Sequence, residues 1–123
     1  FWDKLSIALS HVNEQYLQRI QVKIGNKIIL VPIDEVIRFK SEDKYTVVYT
    51  LTNQYIIDTP LIELEVLLDP RQFVRVHRAH LLAADYIAEI QREEAGRLCV
   101  VLKDKYKTVV PVSRNFVKRV RSL

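Results

Sequence analysis

The chain has 123 residues, with 19 Lys and Arg against 15 Asp and Glu and a formal net charge of +4. Hydrophobic residues make up 49% and charged residues 28%, which suits one soluble globular domain and excludes a disordered or fibrous chain. No apolar run approaches the ~20 residues of a membrane-spanning helix, and Phe1-Trp2-Asp3-Lys4 does not open a signal peptide.

In chain order, Leu5, Leu9, Val12 and Tyr16 recur at helical spacing and predict an amphipathic helix over residues 3–18. Residues 1–19 are expected to act as a linker from an upstream domain, or as a strip that docks on the body or on a second copy. From residue 20 the period changes to two. Gly25-Asn26 turns residues 21–24 into residues 27–31, a hairpin signature, and Pro32 stops the ladder. Short strands are expected at 36–41, 45–51 and 54–58, with Glu42-Asp43-Lys44 and Thr52-Asn53 as the turns. Thr59 and Pro60 predict the N-cap and first position of a helix whose apolar face is Leu61, Leu64 and Leu68. Further strands are expected at 73–77, 81–82, 86–90, 97–102 and 107–110. Ser113 is a candidate N-cap for a last helix. Phe116, Val120 and Leu123 mark its apolar stripe, and Arg114, Lys118 and Arg121 its basic one. The expected architecture for residues 20–123 is mostly β: small, largely antiparallel sheets packed on each other, with two short helices.

Charge is not evenly spread. Residues 1–70 hold 7 Lys/Arg and 10 Asp/Glu, a balance of −3, whereas residues 71–123 hold 12 and 5, a balance of +7. A basic half points to a polyanionic partner, against the plainer reading of a solvated basic surface.

The sequence offers little for catalysis. Two glycines cannot build a phosphate-binding loop. Cys99, the single cysteine, lies in an apolar strand and reads as a small buried hydrophobe. It excludes an internal disulfide and fits a reducing cytoplasm. His77, His80 and Asp85 fall close in sequence, but residues three apart on a strand point to opposite faces, so no metal site is expected. The carboxylate pairs Asp34-Glu35, Glu42-Asp43 and Glu93-Glu94 lie in turns. No enzyme and no cofactor is expected. Tyr45, Tyr49 and Tyr55 suit either base stacking or cross-strand packing.

Four segments, in order and at matching spacing over about residues 22–121, resemble the LytTR family of bacterial transcription-regulator domains. They are VIRFKSEDKYTV at 36–47, TPLIELE at 59–65, FVRVHRAHLLA at 73–83 followed by Asp85-Tyr86-Ile87, and VPVSRNF at 110–116. The resemblance implies an elongated stack of small sheets. It implies that double-stranded DNA is bound through loops and the terminal segment, with no recognition helix. It also implies an output domain of a response regulator in a two-component system, with a receiver or sensor domain upstream, and a homodimer on paired repeats. The lack of Met and the start within a helical pattern fit a piece of a longer chain.

Carried over by position, Lys44, Tyr45 and Thr46 match one contact loop, the stretch from Arg78 through His80 to Ala83 a second, and Arg114 with Asn115 the start of the terminal segment. Lys118 and Arg121 follow along the basic stripe as phosphate contacts. His77 reads as structural, and His80 stays open. Many members carry Asn where this chain has Ala83, which removes a base-edge partner there. The alternative function is a protein-interaction module that docks through the N-terminal amphipathic stripe.

Overall fold

The computed structural model describes residues 16–123. The helix expected over residues 3–18 lies almost wholly outside them. Its last described residues, Tyr16 to Gln18, are not helical, and the Leu17 N–H donates to the Leu67 carbonyl at 2.9 Å.

Among the described residues, ten strands form three antiparallel sheets. The hairpin β1 (Arg19–Ile24) and β2 (Lys27–Pro32) turns at Gly25-Asn26, where Gly25 takes φ +58°, a left-handed value that glycine adopts at little cost. Its last pair is Arg19 with Pro32, so Pro32 ends the ladder. A five-stranded sheet has the order β5-β4-β3-β7-β6. Its strands are β3 (Val36–Ser41), β4 (Thr46–Thr50), β5 (Gln54–Ile57), β6 (Phe73–His77) and β7 (His80–Ala83). The third sheet is β10-β9-β8, built from β8 (Ile87–Arg92), β9 (Leu98–Leu102) and β10 (Val109–Pro111). Helix α1 (Leu61–Leu67) follows β5, and helix α2 (Val117–Arg121) ends the chain.

Two cores lie on opposite faces of the five-stranded sheet. The first packs Ile20, Val22 and Val31 of the hairpin and Leu61, Leu64 and Leu68 of the α1 segment against Phe39, Val48, Phe73 and Leu81. The second packs Val74, Val76 and Leu82 against Val100, Leu102 and Val110 of the third sheet and Val120 of α2. Strands β6 and β7 therefore separate the cores. Phe73 and Leu81 point one way, and their neighbours Val74 and Leu82 the other, as the strand pleat requires. A strand buried on both faces reads as a nearly continuous apolar run, which is why these two lack a clean alternation.

Three local expectations are corrected. Helix α1 begins at Leu61, not at Pro60. Pro60 occupies the cap position with extended ψ 157°, and Thr59 makes no cap. The Thr59 carbonyl instead accepts the Thr46 hydroxyl at 2.7 Å, a contact from 13 residues away that no local pattern reveals. The last helix begins with a 3-10 turn at Arg114–Phe116, and the Ser113 side chain does not cap it. Leu123 is 57% exposed, so the apolar stripe of that helix stops at Val120.

Candidate nucleic-acid interface

The β6–β7 turn, residues 77–80, is built around Arg75. Its guanidinium donates from Nε to the His77 carbonyl at 2.8 Å and from Nη2 to the Arg78 carbonyl at 2.7 Å. The third donor, Nη1, reaches Glu65 Oε2 of α1 at 2.9 Å. Glu65 uses its other oxygen to accept Arg119 of α2 at 2.7 Å. The guanidinium carbons of Arg75 and Arg119 each lie 5.8 Å from the Phe116 ring. One carboxylate thus ties the turn carrying Arg78 to the terminal segment carrying Arg114. Arg75 belongs to the Arg-x-His-Arg motif, yet its side chain is only 11% exposed; it positions the turn and does not reach out of it.

The β3–β4 turn lies beside it. The Ser41 N–H donates to the Ala79 carbonyl at 2.9 Å, and Lys40 pairs with His80 across the strands. The terminal segment arrives at the same edge, where the Ser113 N–H donates to the Val76 carbonyl at 2.9 Å. The backbone therefore gathers three separate loops at one end of the five-stranded sheet. A fourth comes with them. The Val112 N–H donates to the carbonyl of Leu98 at 3.1 Å, so the β8–β9 turn stands at this edge too. Arg92 and Arg97 at that turn are exposed, beside exposed Glu93 and Glu94. Sequence reading passed over both arginines, although their place at a turn in the basic half was the available signal.

The candidate side chains divide in two. Lys44, Tyr45, Arg78, Arg114, Asn115, Lys118 and Arg121 are all exposed. Among the described residues, none of the five cations in that set makes an ion pair. Lys118 and Arg121, three apart on α2, share one side of the helix, while Val120 faces the second core. Thr46 and His80 are different. Thr46 is 2% exposed and its hydroxyl is held by Thr59, so it anchors the loop and cannot meet a ligand. His80 is half-buried, and its Nδ1 is buried without a hydrogen-bond partner.

Both histidines stay neutral near pH 7. Burial, then the charges of Arg78 and Arg75, lowers the pKa of His77. Burial, then His77, Arg38 and Lys40, pushes His80 down to about 4. His77 Nδ1 accepts the Ala79 N–H at 3.1 Å, so the ring proton sits on Nε2. The structural reading of His77 therefore has a bond behind it: the ring closes its own turn.

One expectation at the edge needs correction. Ala83 ends β7 at the far side from the turn, pairs with Phe73, and is 4% exposed in the first core. Only residues 78–80 of the expected second loop stand at the edge, so a side chain at position 83 faces apolar packing and reads no base. The terminal helix is short, with five residues in α2 behind a single 3-10 turn, and supplies little amide dipole. Anion preference at Arg114 rests on its side chain.

A family model described as the LytTr DNA-binding domain matches residues 26–123. The chain belongs to the LytTR family. Among its curated relatives is the heme-containing CO-sensing transcriptional regulator RcoM 1 of Paraburkholderia xenovorans, 31% identical over 87% of this chain and 40% of that protein. The sensory transduction protein LytT of Bacillus subtilis is 30% identical over 85% of this chain and 43% of its own. The positive alginate biosynthesis regulatory protein of Pseudomonas aeruginosa is 35% identical over 85% and 42%. The chain thus spans about two fifths of the relatives it matches. A solved LytTr DNA-binding domain of a putative methyl-accepting/DNA response regulator from Bacillus cereus superposes with a TM-score of 0.76. It is 24% identical and covers 86% of this chain and 95% of its own, which establishes the shared fold. The mostly β stack expected from the sequence is therefore the LytTR fold, and the chain is a DNA-binding domain of transcriptional regulators by family. Among the described residues, no group of three or more His, Cys, Asp or Glu is placed to hold a metal ion, and no helix is long and apolar enough to cross a membrane. Cys99 is buried, and burial pushes its thiol pKa up.

Proposed function

We propose that this LytTR domain is the output domain of a bacterial response regulator and reads double-stranded DNA with the four-loop edge. The observation that carries the reading is the convergence of unpaired cations from distant parts of the chain, Lys44, Arg78 and Arg114, on one end of one sheet. A rigid guanidinium fork matches both acceptors of a guanine edge, so Arg78 and Arg114 are assigned to bases. Asn115 has the paired donor and acceptor that suit adenine. Tyr45 offers an exposed ring beside Lys44. Lys118 and Arg121 are assigned to phosphates, which hold register without reading sequence. Thr46 and His80 support the edge from beneath.

The domain acts by binding and not by catalysis. A receiver or sensor domain upstream supplies the signal, residues 1–19 connect it, and a homodimer occupies paired sites in the cytoplasm. The relatives support the presence of a further domain, because each is a longer regulator or sensory protein that this chain matches over 40–43% of its length.

Selection of duplexes from a random pool at two salt concentrations tests the reading. A recovered motif should bind with a dissociation constant of roughly 10⁻⁸–10⁻¹¹ M at physiological salt and lose affinity steeply as salt rises. Arg114→Ala should weaken the cognate duplex by about 1–3 kcal/mol more than a random one. Equal losses on both would make Arg114 a phosphate contact. No enriched motif would sink the proposal.

A further inference from the structure

Arg38 stands in β3 between the buried Ile37 and Phe39, and belongs to none of the loops above. Its backbone pairs with Tyr49 and Leu82 on the neighbouring strands. The guanidinium carbon lies 3.8 Å above the centre of the Tyr49 ring, which covers one of its faces. Its Nε is buried without an acceptor. No carboxylate pairs with Arg38 among the described residues. A half-buried cation without a counter-charge is uncommon, since burial favours charges that are paired.

Arg38 forms part of the wall of a cleft of about 410 Å³. The β4–β5 turn closes one side with Thr52 and Asn53, and the β9–β10 loop closes the other with Lys105 and Thr108. That loop carries Lys103, Lys105 and Lys107 against one acid, Asp104. Asp104 also lines the cleft, but both its oxygens are engaged, one by the Thr108 N–H at 2.8 Å and the other by the Thr108 hydroxyl. The cleft thus offers a stacked guanidinium whose Nη groups have no protein acceptor among the described residues, a lysine, and amide and hydroxyl groups. It lies at the end of β4 away from Lys44, and five strand residues separate the two by roughly 16 Å.

We propose that this cleft is an oxyanion site that holds a phosphate group on Arg38 and Lys105. Water at the Nη groups would leave the charge uncompensated. A phosphate supplies the charge and coplanar oxygens that fit the guanidinium fork. Two sources share this chemistry: a backbone phosphate of a bound duplex, and free phosphate.

The experiment has two arms. In the first, the Arg38 Nε–H signal of nitrogen-15-labelled protein is followed while inorganic phosphate replaces chloride at constant ionic strength. In the second, the slope of log affinity against log salt is measured on a duplex for the wild type, Arg38→Gln and Lys105→Gln. A saturable shift of the Arg38 signal with unchanged duplex slopes assigns the site to free phosphate. A slope shallower by about 0.9 in each variant, the counterion effect of one phosphate, assigns it to the duplex, with or without the shift. Lys105 is exposed, so its variant keeps the test valid if Arg38→Gln fails to fold. No shift and no change of slope overturns the site. If the wild type binds no duplex, the reading of the four-loop edge fails while the first arm still decides this one.

Discussion

The β6–β7 turn carries Arg78 and is tied down by charge, whereas the β3–β4 turn carries Lys44 and is tied down mainly by neutral bonds. In the first, Arg75 holds two turn carbonyls and Glu65 at once, and Glu65 passes the connection to Arg119. In the second, the Glu42 N–H donates to the Tyr45 carbonyl at 2.8 Å and the buried Thr46 hydroxyl holds Thr59. The difference follows from what lies beneath each turn. The first stands over two separate helices that must be joined to it, and one guanidinium has enough donors to reach both backbone and carboxylate. The second is a hairpin whose own strand register fixes most of its shape. The LytTR edge thus presents two basic loops with different sensitivity to mutation and pH.

The largest expected effect breaks the charged turn. Arg75→Ala strands Glu65 with one partner and leaves the His77 and Arg78 carbonyls without their donor. It should cost about 2–4 kcal/mol in urea unfolding. Arg75→Lys should recover less than half, because an ammonium cannot reach three fixed acceptors. A loss below about 0.5 kcal/mol would show that the turn holds itself.

Next comes pH. His80 titrates at about 4 in the folded protein against about 6.5 when unfolded. Between those values the unfolded chain binds a proton that the folded chain does not. Stability should therefore be full above pH 6.5 and fall by about 1–3 kcal/mol as pH drops to 4. His77 adds a smaller effect of the same sign. Denaturant melts at pH 7, 5.5 and 4 check this, and His80→Gln should flatten the profile. An unchanged profile would place the acid sensitivity elsewhere.

The same two turns show what a sequence can reveal. Strands β1 to β5 were legible because one face of each is wet or turns are marked by Gly25-Asn26, Glu42-Asp43-Lys44 and Thr52-Asn53. The order of strands in the five-stranded sheet was not, since β3 pairs with β7 across some 40 residues. In the site, Lys44, Arg78 and Arg114 are as exposed as their motifs implied. The motifs do not separate presenting residues from supporting ones. Arg75 and Arg78 look equally available in Arg-x-His-Arg, and it is Glu65, ten residues upstream of Arg75, together with the His77 and Arg78 carbonyls, that draws Arg75 inward. Thr46 follows Lys44 and Tyr45 as if part of one contact run, yet the pleat turns it into the protein. Ala83 is silent for the same reason: its place in the motif gives no sign that strand β7 ends in the core.

A smaller effect probes the neutral turn. Thr46→Val keeps the shape of the side chain and removes the hydroxyl, leaving the Thr59 carbonyl without its donor. The expected cost is about 1–2 kcal/mol, with duplex affinity unchanged at temperatures where the variant is folded. A selective loss of affinity for the cognate duplex would return Thr46 to the contact set and undo the division between supporting and presenting residues.

The smallest effect sharpens the contrast between the turns. The β3–β4 turn does hold one ion pair, Lys40 with Glu42 at 3.3 Å, each side chain 38% exposed. Water screens such a pair, and holding two long side chains offsets most of the attraction, so Glu42→Gln should change stability by less than about 0.5 kcal/mol. Glu65→Gln should cost clearly more. It removes the charge shared by two arginines, one of them almost buried. Measured side by side at low and high salt, Glu65→Gln should keep most of its cost in both, while any effect of Glu42→Gln should fade as salt rises. Equal, salt-sensitive effects would mean that Glu65 is screened as fully as Glu42. The charged turn would then owe its shape to Arg75's bonds with its own carbonyls, and the link to α2 through Arg119 would be incidental.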